Sequence, residues 1–384
     1  MASSLAEPPE GGHGRVVTVA REWGRLGAIG FGGPPTHILL LRQLCVERRR
    51  WIPGDEFEDA IAACNLLPGP ASTQLAIYCA GRVGGWQGAL VGGAGFILPG
   101  LATILALAWL FLSSSPPDWV RAAGAGGGAA VAAVAARAAA DLAGPSWRRA
   151  AGQAARSRWL LYVGAGALAS ATLGPWLVLV LLGCGCAEVL VRRGPPSAMT
   201  LAAVPHAGLG AVAWTALKVG ALSFGGGFVI IPLMQGDAVS RYHWMTGPQF
   251  LDAVALGQVT PGPVVGTVAM VGYAAGGFGA GLLAAAVAFS PSFVFVLAGR
   301  SHFERLRGNR TAQAFLAGAG PGAIGAIAGS AVLLARELSE AWQYALLAAA
   351  GVALLGARRG IVAVLVAAAL LGEVALVAGA HIPG

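Results

Sequence analysis

Apolar residues run through this chain in twelve long stretches, separated by short polar or basic segments. Six lie in the first part, at about 17–45, 56–82, 84–112, 120–142, 158–173 and 175–191. Six more follow, at about 207–238, 249–275, 277–299, 312–336, 341–357 and 360–380. A helix of about 20 apolar residues spans the hydrocarbon core of a bilayer, so the pattern predicts an all-α polytopic membrane protein. Two stretches in each set are interrupted. The first of each set breaks at Phe-Gly-Gly (31–33 and 224–226) and the second at Pro-Gly-Pro (68–70 and 261–263).

The interruptions repeat at a constant distance. Phe31 and Phe224 are 193 residues apart, and the same displacement carries Trp51 onto Trp244, Phe57 onto Phe250 and Asp59 onto Asp252. It also carries the 68–70 triplet onto 261–263, Gly84 onto Gly277 and Phe96 onto Phe289, with no gap across roughly eighty residues. Glycine and alanine matches carry little weight in a chain rich in both; tryptophan, phenylalanine, aspartate and a PGP triplet carry more. Two homologous halves follow, as is usual in secondary transporters. The expected organisation is a polar tail over 1–15, a first transporter repeat over 16–195, a linker over 196–205 and a second repeat over 206–384. The tail has no basic segment leading into an apolar core, so it does not read as a cleaved signal.

Composition agrees with a membrane solvent. The chain is 56% hydrophobic and 11% charged, against about 25% charged in soluble domains. Its net charge of +8 belongs with cytoplasmic loops rather than with nucleic-acid binding. Basic residues cluster at Arg48–Arg50, at Arg148, Arg149, Arg156 and Arg158, at Arg192–Arg193, at Arg300, Arg305, Arg307 and Arg310, and at Arg358–Arg359. If every cluster is cytoplasmic, each half crosses the membrane five times and the halves run in opposite directions. They are then inverted repeats with about ten crossings and both termini outside. The PGP element is the one that does not cross, a re-entrant hairpin of two half-helices.

Breaking a helix inside hydrocarbon frees backbone N–H and C=O groups at several kcal/mol each. Such breaks persist where the freed groups meet protein, water or a ligand. A half-helix that starts after a PGP loop points its N–H groups and positive dipole end into the protein, which suits an anion. Arg25 and Lys218 each lie six residues before the FGG phenylalanine, and a cation inside a membrane element points to a function. Uncharged donors flank the breaks: Thr36, His37, Asn65, Ser72, Thr73 and Gln74 in the first half, Ser223, Gln258, Thr260 and Thr267 in the second. A tetrahedral oxyanion needs many such donors. The competing readings are bland: glycines for close helix packing, Arg25 and Lys218 reaching to an interface, His37 as a satisfied packing residue. Glu188 and Glu373 are candidates for carrying protons or for pairing with arginine. The five cysteines (Cys45, Cys64, Cys79, Cys184 and Cys186) lie in or beside apolar spans and read as packing residues. No metal or cofactor is implied.

The runs "FGGPPTHI", "RRRWIPGDEFEDAIAACNLLPGPASTQLAIYCAGRVGGWQGALVGGAGFILPG", "SFGGGFVIIPLM" and "GQVTPGPVVGTVAMVGYAAGGFGA" resemble the chromate ion transporter family in its long, two-domain form. The resemblance covers nearly the whole chain and is densest at 24–105 and 217–298. It implies a carrier in the bacterial inner membrane that expels chromate and confers chromate resistance. The family motifs fall on Phe31, Gly32, Gly33, Pro34, His37, Pro68, Gly69 and Pro70, and on Phe224, Gly225, Gly226, Pro261, Gly262 and Pro263. Asn65 stands where the second copy has Gln258.

Chromate and sulfate share shape and charge, so a sulfate or other oxyanion carrier of the same architecture stays open, as do proton exchange and a homodimer. The remote alternative is an intramembrane enzyme. Paired carboxylates, H-E-x-x-H and a plausible G-x-S-x-G are all lacking. So is a G-x-x-x-x-G-K-[ST] loop, so the chain does not power itself with ATP.

Overall fold

The computed structural model describes residues 12–65, 67, 69–193, 208–223, 228–299 and 309–383. Pro68, Phe224, Gly225, Gly226, the 196–205 linker and most of the polar tail lie outside the described residues. All regular structure among the described residues is helical.

In the first half the order is α1 (Gly12–Ile29), α2 (Pro34–Arg42), α3 (Gly54–Cys64), α4 (Ala71–Phe111), α5 (Asp118–Ala129), α6 (Val131–Arg149), α7 (Gln153–Thr172) and α8 (Leu177–Arg193). In the second it is α9 (Leu209–Leu222), α10 (Ile230–Gln235), α11 (Gly247–Val259), α12 (Thr267–Gly299), α13 (Arg310–Arg336), α14 (Ala341–Gly351) and α15 (Ile361–Val377). α13 answers α5 and α6 together. The correspondence reaches fine detail. Helix α2 ends in a wide π turn over Gln43–Arg48, and α10 ends in one over Gly236–Arg241, 193 residues on. Both turns close on a non-glycine residue in the left-handed region, Arg50 and His243, each at φ 50°.

Four stretches are long and apolar enough to cross a membrane: Ala71–Phe111, Asp118–Arg149, Val264–Gly299 and Arg310–Arg336. Leu209–Leu222, Ala341–Gly356 and Ile361–Val377 are shorter apolar helices. The chain is therefore built as a multi-pass membrane protein.

The boundary expected between the second and third apolar elements is a non-helical joint, where two helices meet at a kink. Gly84 and Gly85 leave helical geometry within α4, and Gly276 and Gly277 do so within α12. Gly85 sits at φ 65° and Gly277 at φ 73°. These joints are 192 residues apart, as are the in-helix prolines Pro99 and Pro291. The constant register expected across eighty residues therefore slips by one at the joint, where Phe278 rather than Gly279 matches Trp86 in order.

The halves interlock. Helix α4 packs along α12, α13 lies against α7 and α8, and α5 lies against α15. Glycines make these approaches close: a Cβ on Gly166 of α7 would strike the carbonyl of Gly322 on α13. In a membrane, where lipid is as apolar as the helix faces, such close contact and buried polar pairing hold helices together.

Candidate functional site

Both FGG and PGP breaks of the first half are real interruptions. Helix α1 stops at Ile29, Gly32 and Gly33 take φ 96° and 77°, and α2 starts at once on Pro34. Only glycine adopts these values without strain, and proline at a first helical position loses no hydrogen bond. Helix α3 stops at Cys64, Gly69 turns at φ 118°, and α4 begins at Ala71. In the second half, α11 ends at Val259, Gly262 takes φ 83°, and a short turn over Val264–Gly266 leads into α12.

The loops are brought together crosswise. The Gly262 amide donates to the Gly30 carbonyl at 2.9 Å. A Cβ on Gly69 would stand 3.2 Å from the carbonyl oxygen of Gly220, just as one on Gly262 would stand 3.6 Å from that of Gly27. Each PGP loop thus rests on the helix end of the opposite half. Gly30 has a second donor: His37 Nε2 lies 3.0 Å from the same carbonyl. A carbonyl only accepts, so Nε2 carries the proton, and neutral Nδ1 accepts from Ser72 Oγ at 3.2 Å. His37 is buried, with its ring edge-on to Phe96. A continuous chain, Ser72–His37–Gly30–Gly262, therefore ties the first turn of α4 to the PGP loop of the other half.

The remaining donors divide. Thr260 Oγ1 donates to the Gly257 carbonyl and Thr267 Oγ1 to that of Val264. Thr73 Oγ1, Ser223 Oγ and Gln258 Nε2 are buried without a partner among the described residues. Gln74 is buried beside Gly69. Phe31, Gly32 and Asn65 are exposed, Thr36 is half-buried, and Gly33, Pro70, Pro261 and Pro263 are buried. Phe31, Gly32 and Thr36 form one wall of an open groove of about 790 Å³, whose other wall is α15. A second, much smaller space of about 10 Å³ lies between Thr260, Pro261, Pro263 and Gly100.

The two basic residues, equivalent by spacing, are not equivalent in space. Arg25 is exposed on α1. Lys218 is 5% exposed and forms an ion pair with Asp237, which is fully buried. Thr215 Oγ1 adds a hydrogen bond to the same carboxylate oxygen at 2.8 Å, while Asp237 Oδ1 has no partner among the described residues. Comparison of the halves conceals this cluster, because Leu44 occupies the place of Asp237 and Glu22 that of Thr215. The available signal is one acid within the apolar run 228–240. The converse holds for His37 and Ser72, whose counterparts are Ile230 and Val265. The His37–Ser72 pair is thus replaced by apolar residues in the second half, whereas of the Lys218 cluster only Asp237 has an apolar counterpart.

Of the two late glutamates, Glu188 is paired. Arg158 grips it with two nitrogens at 2.8 and 3.2 Å, Arg192 donates at 2.7 Å and Tyr162 at 3.1 Å. Among the described residues no group of three or more His, Cys, Asp or Glu is placed to hold a metal ion.

The family model described as "Chromate transporter" matches residues 17–189 and 210–373. The chain belongs to the chromate transporter family. It is 32% identical over 353 residues to the chromate transport protein of Cupriavidus metallidurans, covering 86% of this chain and 85% of that protein. To the chromate transport protein of Pseudomonas aeruginosa it is 33% identical over 345 residues, covering 82% and 80%. The probable chromate transport protein of Synechococcus elongatus is 30% identical over 335 residues, covering 82% and 83%. No solved structure matches this member of the family.

Proposed function

We propose that this chain is a secondary transporter that moves chromate out of the bacterial cytoplasm across the inner membrane. The observation that carries this reading is the family match over both halves, joined to PGP loops that rest on opposite halves. The substrate sits where those loops meet. Its ligands are backbone N–H groups and the hydroxyl and amide donors beside them, with Arg25 and Lys218 supplying positive charge. Each PGP loop is the tip of a re-entrant hairpin, the chain crosses about ten times, and one repeat moves against the other to alternate access. Leaving a cell that is negative inside favours a dianion by about 2.3 kcal/mol per charge per 100 mV.

The test is chromate uptake into everted vesicles from cells making the chain, with sulfate as competitor. Saturable chromate uptake, weakly inhibited by sulfate and reduced in Arg25→Ala, is the expected result. Because Arg25 is exposed, that variant keeps its fold, and its flux reports on charge alone. Uptake of sulfate in preference moves the substrate to sulfate within the same architecture. No oxyanion flux from folded protein overturns the reading.

A further inference from the structure

We infer that one PGP loop, that of the first half, holds the tetrahedral dianion, and that Ser292 of the second half completes this site. The inference rests on the proposed function and assigns its substrate contacts.

The two loops are related by the repeat but differ in the hydroxyls they leave unengaged. At the second, the Gly262 amide is engaged by Gly30. A Cβ on Gly262 would stand 3.4 Å from the Phe96 carbonyl oxygen and 3.6 Å from that of Gly27. Gly100 is pressed onto the Pro261 carbonyl, and the Thr260 and Thr267 hydroxyls are satisfied by backbone. The space left there, about 10 Å³, is about one water's worth.

The first loop offers donors instead. A Cβ on Gly69, which lies at φ 118°, would be crowded by its neighbours. Gln74 Nε2 lies 2.8 Å and Ser292 Oγ 3.3 Å from that Cβ position, with the Gly220 carbonyl closing the third side at 3.2 Å. Ser292 is fully buried on α12, and its hydroxyl has no partner among the described residues. Thr73, within the first turn of α4, is likewise fully buried and unpartnered. Burying a hydroxyl without a partner is unfavourable, and two such groups, one in the first turn of α4 and one packed beside the loop before it, suit a bound anion. At the position of Ser292 the first half has Gly100, 192 residues earlier, so the second loop has no matching hydroxyl. Because Ser292 comes from the opposite half, the site is complete only while the halves are packed in this arrangement. Substrate affinity therefore depends on conformation.

The experiment compares initial rates of chromate uptake in everted vesicles holding full-length wild type, Ser292→Ala, Thr73→Val and Thr73→Ser. Losing one donor to a dianion raises KM about tenfold or more, while maximal rate stays within about twofold. Thr73→Ser keeps the hydroxyl and keeps KM near wild type. Ser170→Ala, which removes an unpartnered buried hydroxyl on α7 far along the chain from either loop, controls for loss of any buried serine and leaves KM unchanged. Unchanged KM in both Ser292→Ala and Thr73→Val, in vesicles where wild type transports, overturns this inference and leaves the proposed function standing. A KM rise in Thr260→Val with none in Ser292→Ala also overturns it. Absence of wild-type flux overturns the function itself.

Discussion

Gly30 and Gly262, from opposite halves of the chain, are joined by a backbone hydrogen bond of 2.9 Å. The Gly30 carbonyl lies in the break that follows α1, and the Gly262 amide in the PGP loop before α12. Two interruptions that would each leave an orphaned group in hydrocarbon thus satisfy one another. His37 shares the same acceptor, so this pairing has a side-chain brace.

Replacing that brace is expected to loosen the junction. His37→Ala removes the donor to Gly30 and the partner of Ser72, two buried hydrogen bonds worth about 1–3 kcal/mol together. Thermal unfolding of the purified protein in detergent should shift down accordingly. An unshifted midpoint would mean that water replaces the imidazole at no cost.

The Lys218–Asp237 pair gives a sharper contrast. Removing either partner leaves an uncompensated buried charge, at about 3–5 kcal/mol. Lys218→Met and Asp237→Leu are each expected to be strongly destabilised. The double variant should recover most of the loss, since Leu44 already fills the place of Asp237 in the other half. The double-mutant cycle measured by detergent melting checks this. If the recovered double variant transports with a raised KM, Lys218 contributes charge to the anion as well as to the fold.

Glu188 is expected to act as an anchor. Glu188→Gln weakens hydrogen bonds from Arg158, Arg192 and Tyr162, and each bond to a charged group is worth about 1.5–3 kcal/mol. A lower melting midpoint with an unaltered dependence of flux on pH is the expected pair of results. A flattened pH profile would instead make Glu188 a proton carrier.

The breaks were legible in the sequence because glycine and proline enforce them locally: Gly32, Gly33 and Gly69 all take backbone angles that other residues avoid. The repeat was legible because tryptophan, phenylalanine, aspartate and the PGP triplet recur at one spacing, whereas the matched turns closing on Arg50 and His243 were not, since those residues differ in type. What lay beyond reach depends on partners far apart in sequence. Arg25 and Lys218 look alike by spacing, yet one is exposed and the other is buried against Asp237, whose counterpart in the first half is Leu44. Ser292 is one of two serines flanking Pro291 in an apolar run, and only the packing of α12 against the first PGP loop singles it out. The second and third apolar elements looked separate because Gly84 and Gly85 interrupt the pattern. The backbone leaves helical geometry at these glycines, and two helices meet there at a kink.

That bend has a mechanical consequence. From Ala71 to the Gly84–Gly85 joint, α4 is an arm about 20 Å long at 1.5 Å per residue, with the PGP loop at its tip. A swing of about 10° at the joint displaces the tip by about 3.5 Å, roughly the reach of one hydrogen bond. The joint of α12 gives the other loop the same leverage, so small rotations far from the centre are geared into making or breaking the contacts that the loops share.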